Sequence, residues 1–340
     1  MNKAALFDPA QSHPGRDEAR RRHLVVGLLL ALLALAAAGL FAGSEGWSWP
    51  EAGQAGLIVG RIRAPRTLGA GLVGALLGLA GAVAQGLFRN PLADPYLLGT
   101  ASGASLAVVG VLAAGAGLGA AGLGWLLQIG LVGAAFVGAL AGVALTLAFA
   151  RGAGQPMRLL LSGVVVGVVL GAASDLVTTA QPEALRGRQA FMLGSTALLG
   201  WDAVAWLGAG LVLALPVAWR LARGLDVLGL GEDSAASLGV DLKRLRWVLV
   251  ALIALCTGVA VAEAGLVAFV GLVAPHLVGR FAPAPQAFNL PASAAAGAVL
   301  LLAADVLARS LTAPAELPVG LFTALLGGLY LLWLLRRETP

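Results

Sequence analysis

Long apolar runs broken by short, arginine-bearing polar segments set the pattern of this chain. Windows of about 19 residues find such runs at 24–42, 67–88, 97–118, 121–150, 159–181, 192–219, 245–263, 265–279, 291–308 and 318–335. These predict ten membrane-spanning helices. The run at 265–279 is short for a full crossing, and the run at 121–150 is long enough to tilt or to hold a loop. An even number of crossings puts both termini on one side.

Composition agrees with this pattern. Apolar side chains make up 59% of the 340 residues and 48 more residues are glycine, whereas a soluble domain has roughly 45–50% apolar with glycine included. A soluble fold is excluded, and the bilayer is the main solvent. The pI near 10.3 does not indicate nucleic acid, because the basic residues are scattered over short loops with no interleaved aromatics to stack bases. Cys256 is the only cysteine, so an intrachain disulfide is impossible.

The basic residues orient the spans. With the N-terminus inside, Arg61, Arg63, Arg66, Arg186, Arg188 and Arg309 fall outside and the other sixteen of the 22 Lys and Arg fall inside. Positive charge retained on the cytoplasmic side therefore predicts both termini to be cytoplasmic. The first run is read as a retained span, since it is longer than a signal-peptide core and follows a polar stretch of 23 residues.

Gly71, Gly74, Gly78 and Gly81 share one face of the second span, and Gly163, Gly167 and Gly171 share one face of the fifth. In lipid, where burial of apolar surface gives little drive between helices, such small-residue faces let backbones approach. Ion-coupled transport calls for ionisable groups within the spans. The candidates are Asp175, Glu263 and Asp305, each placed toward the outer end of its helix, with Glu263 beside Gly265 able to face a cavity.

Hydrolysis of ATP by this chain is excluded. A P-loop needs a lysine after its glycine-rich turn, and the only lysines, Lys3 and Lys243, follow Asn2 and Leu242. The sequence also lacks HExxH, a nucleophile elbow and any His or Cys cluster with metal spacing, so the chain reads as a non-enzyme. One inside segment stands apart, running from Leu225 to Asp241. There Glu232 and Asp233 suit the positive start of a short helix, Ala235, Ala236 and Leu238 propagate it, and Gly239 suits its left-handed end. A stiff helix of this kind is shaped to touch a partner.

Several uncommon strings occur in order along the chain: Arg63-Ala64-Pro65-Arg66, then Arg89-Asn90-Pro91-Leu92-Ala93-Asp94-Pro95, then Gly231-Glu232 with Ala235 and Leu238-Gly239. They are followed by Phe269 to His276, by Ala304-Asp305 with Ala308-Arg309, and by Glu316-Leu317-Pro318-Val319-Gly320. From about residue 60 onward the sequence resembles the FecCD-type permeases of ABC importers for cobalamin, ferric siderophores and haem. The resemblance implies an all-α polytopic membrane protein with the type II ABC importer transmembrane fold. A cytoplasmic tail, 1–23, would precede one permease domain, 24–340, that carries a coupling segment at 226–243.

The same resemblance implies a bacterial inner-membrane subunit that pairs with a second copy of itself, two ATP-binding cassette subunits and a periplasmic or lipid-anchored substrate-binding protein. Cofactors are then absent from this chain, and ATP and magnesium sit on the partner ATPase. Arg63, Arg66 and Arg309 are implied to dock the binding protein. Gly231, Glu232, Asp233, Ala235, Leu238 and Gly239 correspond to the family's coupling helix. Leu92 matches a residue lining the family's cytoplasmic gate and takes its neighbours Asn90 and Pro91 with it, while Glu263, from its own place beside Gly265, is assigned to the translocation path or gate. The sequence departs from the family pattern at Gln155-Pro156-Met157 and at Gly327-Gly328-Leu329-Tyr330. An ion-coupled secondary transporter and a non-transporting scaffold are the competing readings.

Overall fold

A computed structural model describes residues 14–43, 46–50, 52–116, 124–311 and 314–338. Its first helix, α1 (Pro14–Phe41), leads into a short antiparallel pairing of β1 (Ala42–Gly43) and β2 (Gly46–Trp47). Then α2 (Ala52–Leu57) passes through a π-helical stretch, Ile58–Arg63, into α3 (Ala64–Phe88). A 3-10 turn, Pro95–Leu98, precedes α4 (Thr100–Ala116), α5 (Gly124–Phe149), α6 (Pro156–Ala180) and α7 (Pro182–Leu193). The chain continues through α8 (Trp201–Gly229), α9 (Glu232–Ser237), α10 (Leu242–Ala264), α11 (Val270–Phe281), α12 (Gln286–Ser310) and α13 (Val319–Glu338).

Among the described residues, seven helical stretches are long and apolar enough to cross a bilayer, and α4, α11 and α13 contribute three shorter apolar segments. Together they account for the ten runs, with two corrections. The run at 192–219 does not form one helix: α7 ends at Leu193, Gly194 takes a left-handed φ of 63°, and the span that follows is Trp201–Gly229. The run at 265–279 is not one helix either: only its second part is helical, and at about 1.5 Å per residue the 12 residues of α11 extend about 18 Å, with non-helical backbone making up the rest. Gly265 and Phe269 both take positive φ, and the Leu266 N–H bonds to the Phe191 carbonyl at 2.9 Å. Non-helical backbone of this kind persists in a membrane protein only where other protein satisfies it.

At the centre lies α3, buried along most of its length and packed on α8, α10, α11 and α12. Glycine makes this possible. A Cβ at Gly74 would stand 2.3 Å from the Gly297 carbonyl oxygen, one at Gly78 2.2 Å from that of Ser293, and one at Gly81 1.6 Å from that of Gly271. Gly71 meets only the Leu302 side chain, so three of the four stripe glycines carry the close approach. In α6, Gly163 presses on the Leu97 carbonyl whereas Gly171 faces open space. Outward rows such as Leu29, Leu30 and Leu33 on α1, and Val164, Val165 and Val168 on α6, are exposed. They are the apolar surface expected of helices bathed in lipid.

Candidate docking, coupling and gate sites

The N-terminus of α3 and the C-terminus of α12 meet at one end of the bundle and there bury a charge cluster. Asp305 is fully buried, and three donors converge on its carboxylate. Arg66 Nε lies 3.2 Å from Oδ1, Thr196 Oγ1 donates to the same oxygen at 2.6 Å, and Arg309 Nη2 bonds to Oδ2. Arg66 Nη1 also grips both oxygens of Glu316, at 3.0 and 2.8 Å. Arg309 Nη1 reaches back to the Gly39 and Ala42 carbonyls at the end of α1. Arg63 donates from Nη1 to the carbonyls of Leu40, Phe41 and Ser48.

These three arginines are therefore buried and internally bonded. Arg309 is 1% exposed, and Arg63 and Arg66 are 8% and 7% exposed. Sequence placed Asp305 toward the outer end of its helix, and burial there between two guanidiniums makes it the hub of a network. Its partner Arg309 stands at i+4, a spacing at which opposite charges on a helix meet and the one local signal for the pair. Thr196 and Glu316 carried no such signal. Asp175 pairs with Arg188 on α7 near the surface, and Glu263 is half-buried near the end of α10.

The opposite end carries α9. Gly231, at φ 117°, breaks α8 from α9, and Gly239, at φ 79°, follows the Leu238 cap. Only the side chain of Ala235 is fully buried, and Asp233, Leu238 and Gly239 are exposed. Glu232 fixes the helix in place: its Oε1 lies 2.7 Å from Arg246 Nη2 and 3.7 Å from Arg89 Nη2. Arg89 is itself a left-handed cap on α3, with φ 50°, and the Asn90 N–H returns to the Gln85 carbonyl at 3.1 Å, as in helix ends closed by paired backward bonds. One reversal thus sets both the anchor of α9 and the start of the next turn.

In that turn Asn90 Oδ1 accepts from the Leu92 N–H at 3.0 Å, and Pro91 and Leu92 remain exposed. Asp94 accepts the Tyr96 N–H at 2.8 Å, and the Tyr96 hydroxyl donates to the Val267 carbonyl at 3.2 Å. Burial pushes the Asp94 carboxyl up to about 6, against the opposing pull of the Tyr96 N–H. The turn that holds Leu92 is therefore tied to the non-helical stretch ahead of α11.

This arrangement can be compared with known proteins. A model of the FecCD transport family matches residues 25–337. The chain belongs to the FecCD transport family. The vitamin B12 import system permease protein BtuC of Serratia proteamaculans is 42% identical over 329 residues, covering 93% of each chain. The hemin transport system permease protein HmuU of Yersinia pestis is 41% identical over 280 residues, covering 82% of each. A metal-chelate type ABC transporter in an inward-facing conformation superposes with a TM-score of 0.83 at 28% identity, over 93% of this chain and 99% of that one. PsaBC from Streptococcus pneumoniae, at 16% identity and TM-score 0.53, shares the fold. As a FecCD member the chain is a multi-pass ABC transporter permease of type II importer fold with about ten transmembrane helices, a transport subunit and not an enzyme.

Proposed function

We propose that this chain is the membrane-spanning half of an ATP-driven, binding-protein-dependent importer of a bulky metal chelate, namely haem, a ferric siderophore or cobalamin. It works as a homodimer in the bacterial inner membrane, with two ATP-binding cassette subunits under α9 and a periplasmic or lipid-anchored binding protein over the Arg66–Asp305 end. Both termini then face the cytoplasm, and ATP and magnesium stay on the ATPase. The observation that carries this reading is α9, a short exposed helix clamped to the bundle through Glu232, Arg246 and Arg89. Its coupling surface comprises Gly231, Glu232, Asp233, Ala235, Leu238 and Gly239.

Haem and vitamin B12 permeases among the relatives support the cargo class. Exposed Leu92, held by Asn90 and Pro91, serves as the inner gate, where two copies meet in an apolar constriction, and Glu263 borders the path. Docking falls to Arg63, Arg66 and Arg309 in a particular way: an acidic side chain of the binding protein exchanges with Glu316 at Arg66, while Arg63 and Arg309 hold the mouth in shape. The ion-coupled alternative loses a candidate, because Asp305 is committed to two guanidiniums and a threonine. Copurification with a P-loop ATPase, followed by binding-protein-stimulated hydrolysis and uptake in liposomes with haem, a ferric siderophore and cobalamin, tests the proposal. Uptake driven by an ion gradient without ATP overturns it.

A further inference from the structure

Beside α9, between the turn joining α5 to α6 and the first turns of α10, lies a cavity of about 540 Å³. That size is within the range of about 300–1,000 Å³ typical of small-molecule sites. Its walls carry Arg151, Lys243 and Arg246, and none of its lining residues is acidic. Arg151 and Lys243 are exposed, and among the described residues neither has an ion-pair partner. Arg246 forms a buried wall at 3% exposure. Its Nη1 donates to the Gly154 carbonyl and its Nη2 faces Glu232, yet its buried Nε has no hydrogen-bond partner.

Three further features describe the hollow. It lies against the first turns of α10, whose N-terminal end is capped by the Asp241 carboxylate accepting the Arg244 N–H at 3.0 Å. Arg151 and Gly152 both adopt left-handed φ, 56° and 96°, and close the end of α5, where the Gly152 N–H bonds to the Leu147 carbonyl at 2.7 Å; this reversal sets Arg151 on the cavity wall. Trp247, 41% exposed on the cavity wall, is of the type that settles at headgroup level. Cations collected around one hollow repel one another, and Glu232 offsets only one of the three. Bound negative charge relieves the remainder.

We propose that this cavity binds a phosphate ester at the membrane surface, with Arg246 Nε, Arg151 and Lys243 as its donors. An anionic lipid headgroup and a soluble phosphate ester present the same chemistry, and both sources are open to test on the full chain, independently of any ATPase. Native mass spectrometry of protein from phosphatidylglycerol nanodiscs should show retained lipid, at least tenfold less in Arg151→Gln/Lys243→Gln and little from phosphatidylcholine alone. Calorimetric titration with inorganic phosphate and glycerol 3-phosphate, without phosphatidylglycerol, reports the soluble source. An effect of the substitutions in either arm supports the site and identifies its origin. Because both substituted side chains are exposed, an unchanged thermal midpoint is expected, and the single variants Arg151→Gln and Lys243→Gln should each show part of the loss. Equal lipid retention and equal phosphate binding in wild type and variant overturn the proposal. So does a variant that loses only its association with an ATPase, since the cations then serve a protein contact.

Discussion

Arg66 and Asp305 meet at 3.2 Å although 239 residues separate them in the chain. Their contact joins the start of α3 to the end of α12, and through Glu316 it also pins the loop that leads to α13. Removing one partner of a buried pair costs more than the pair contributes, because the other charge stays behind without compensation; the usual penalty is about 3–5 kcal/mol. Asp305→Asn leaves the fully buried Arg309 in that position. Its thermal midpoint in detergent should fall steeply or folded protein should be lost. Glu316→Gln removes a pair whose acid is partly exposed and should cost about 1 kcal/mol or less. Equal effects of the two would show that the cluster is not a buried hub.

The glycine stripes give a test of packing. Gly163→Ala and Gly171→Ala change the same helix by the same methyl group, but the first places it 1.9 Å from the Leu97 carbonyl and the second meets nothing within 4 Å. Gly163→Ala should abolish monodisperse protein or sharply lower its thermal midpoint. Gly171→Ala should be neutral or gain a few tenths of a kcal/mol up to about 1, since alanine restricts the unfolded chain and favours helix. A tolerated Gly163→Ala would mean that α6 can move away from the 3-10 turn.

Much of this architecture was legible because lipid imposes a simple rule: a spanning helix must be apolar over about 20 residues. The rule failed where apolar side chains sit on non-helical backbone. Residues 265–269 are as apolar as any span, and their departure from helix depends on the bonds from the Leu266 N–H to the Phe191 carbonyl and from the Tyr96 hydroxyl to the Val267 carbonyl, which no local pattern announces. The position of α9 was readable from acids followed by glycine. The hub at Asp305 was not, because Arg66, Thr196 and Glu316 converge on it from three distant segments, and a buried charge reveals its partners only once the helices are packed.

The Asp94 carboxyl, lifted by burial from 3.8 to about 6, gives a pH-dependent prediction. Between those values the folded chain holds a proton that the unfolded chain has released, so stability falls as pH rises from about 4 through 6 and stays lower above. Asp94→Asn keeps an oxygen for the Tyr96 N–H and never ionises. Its thermal midpoint should match wild type near pH 4 and equal or exceed it at pH 8. A wild-type-minus-variant difference that does not change with pH would remove Asp94 as the cause.

If an acidic side chain of a binding protein replaces Glu316 at Arg66, then Glu316→Gln should raise affinity for that protein several-fold and steepen its salt dependence. Arg66→Gln should weaken binding and flatten the salt dependence. Charge at such a contact acts first on the association rate, so stopped-flow or surface-capture kinetics is the suitable readout. Unchanged association rates in both variants would move docking away from this cluster, for instance to exposed Arg61 and Arg186 at the same end.

The sharpest test of coupling is Glu232→Lys. Its ammonium would face Arg246 and Arg89, turning two attractive contacts into repulsion and releasing α9 from the bundle. Since the Glu232 side chain is 40% exposed, the repulsion can be relieved by movement of α9 alone, and the ten-span body should remain folded. In liposomes with an ATPase and a binding protein, hydrolysis should continue while cargo imported per ATP drops at least tenfold. Asp233→Lys, an equal charge change at an exposed neighbour without an ion pair among the described residues, should be milder. If the two variants lose the same amount, surface charge and not the clamp governs coupling. If Glu232→Lys imports normally, α9 does not transmit the ATPase stroke.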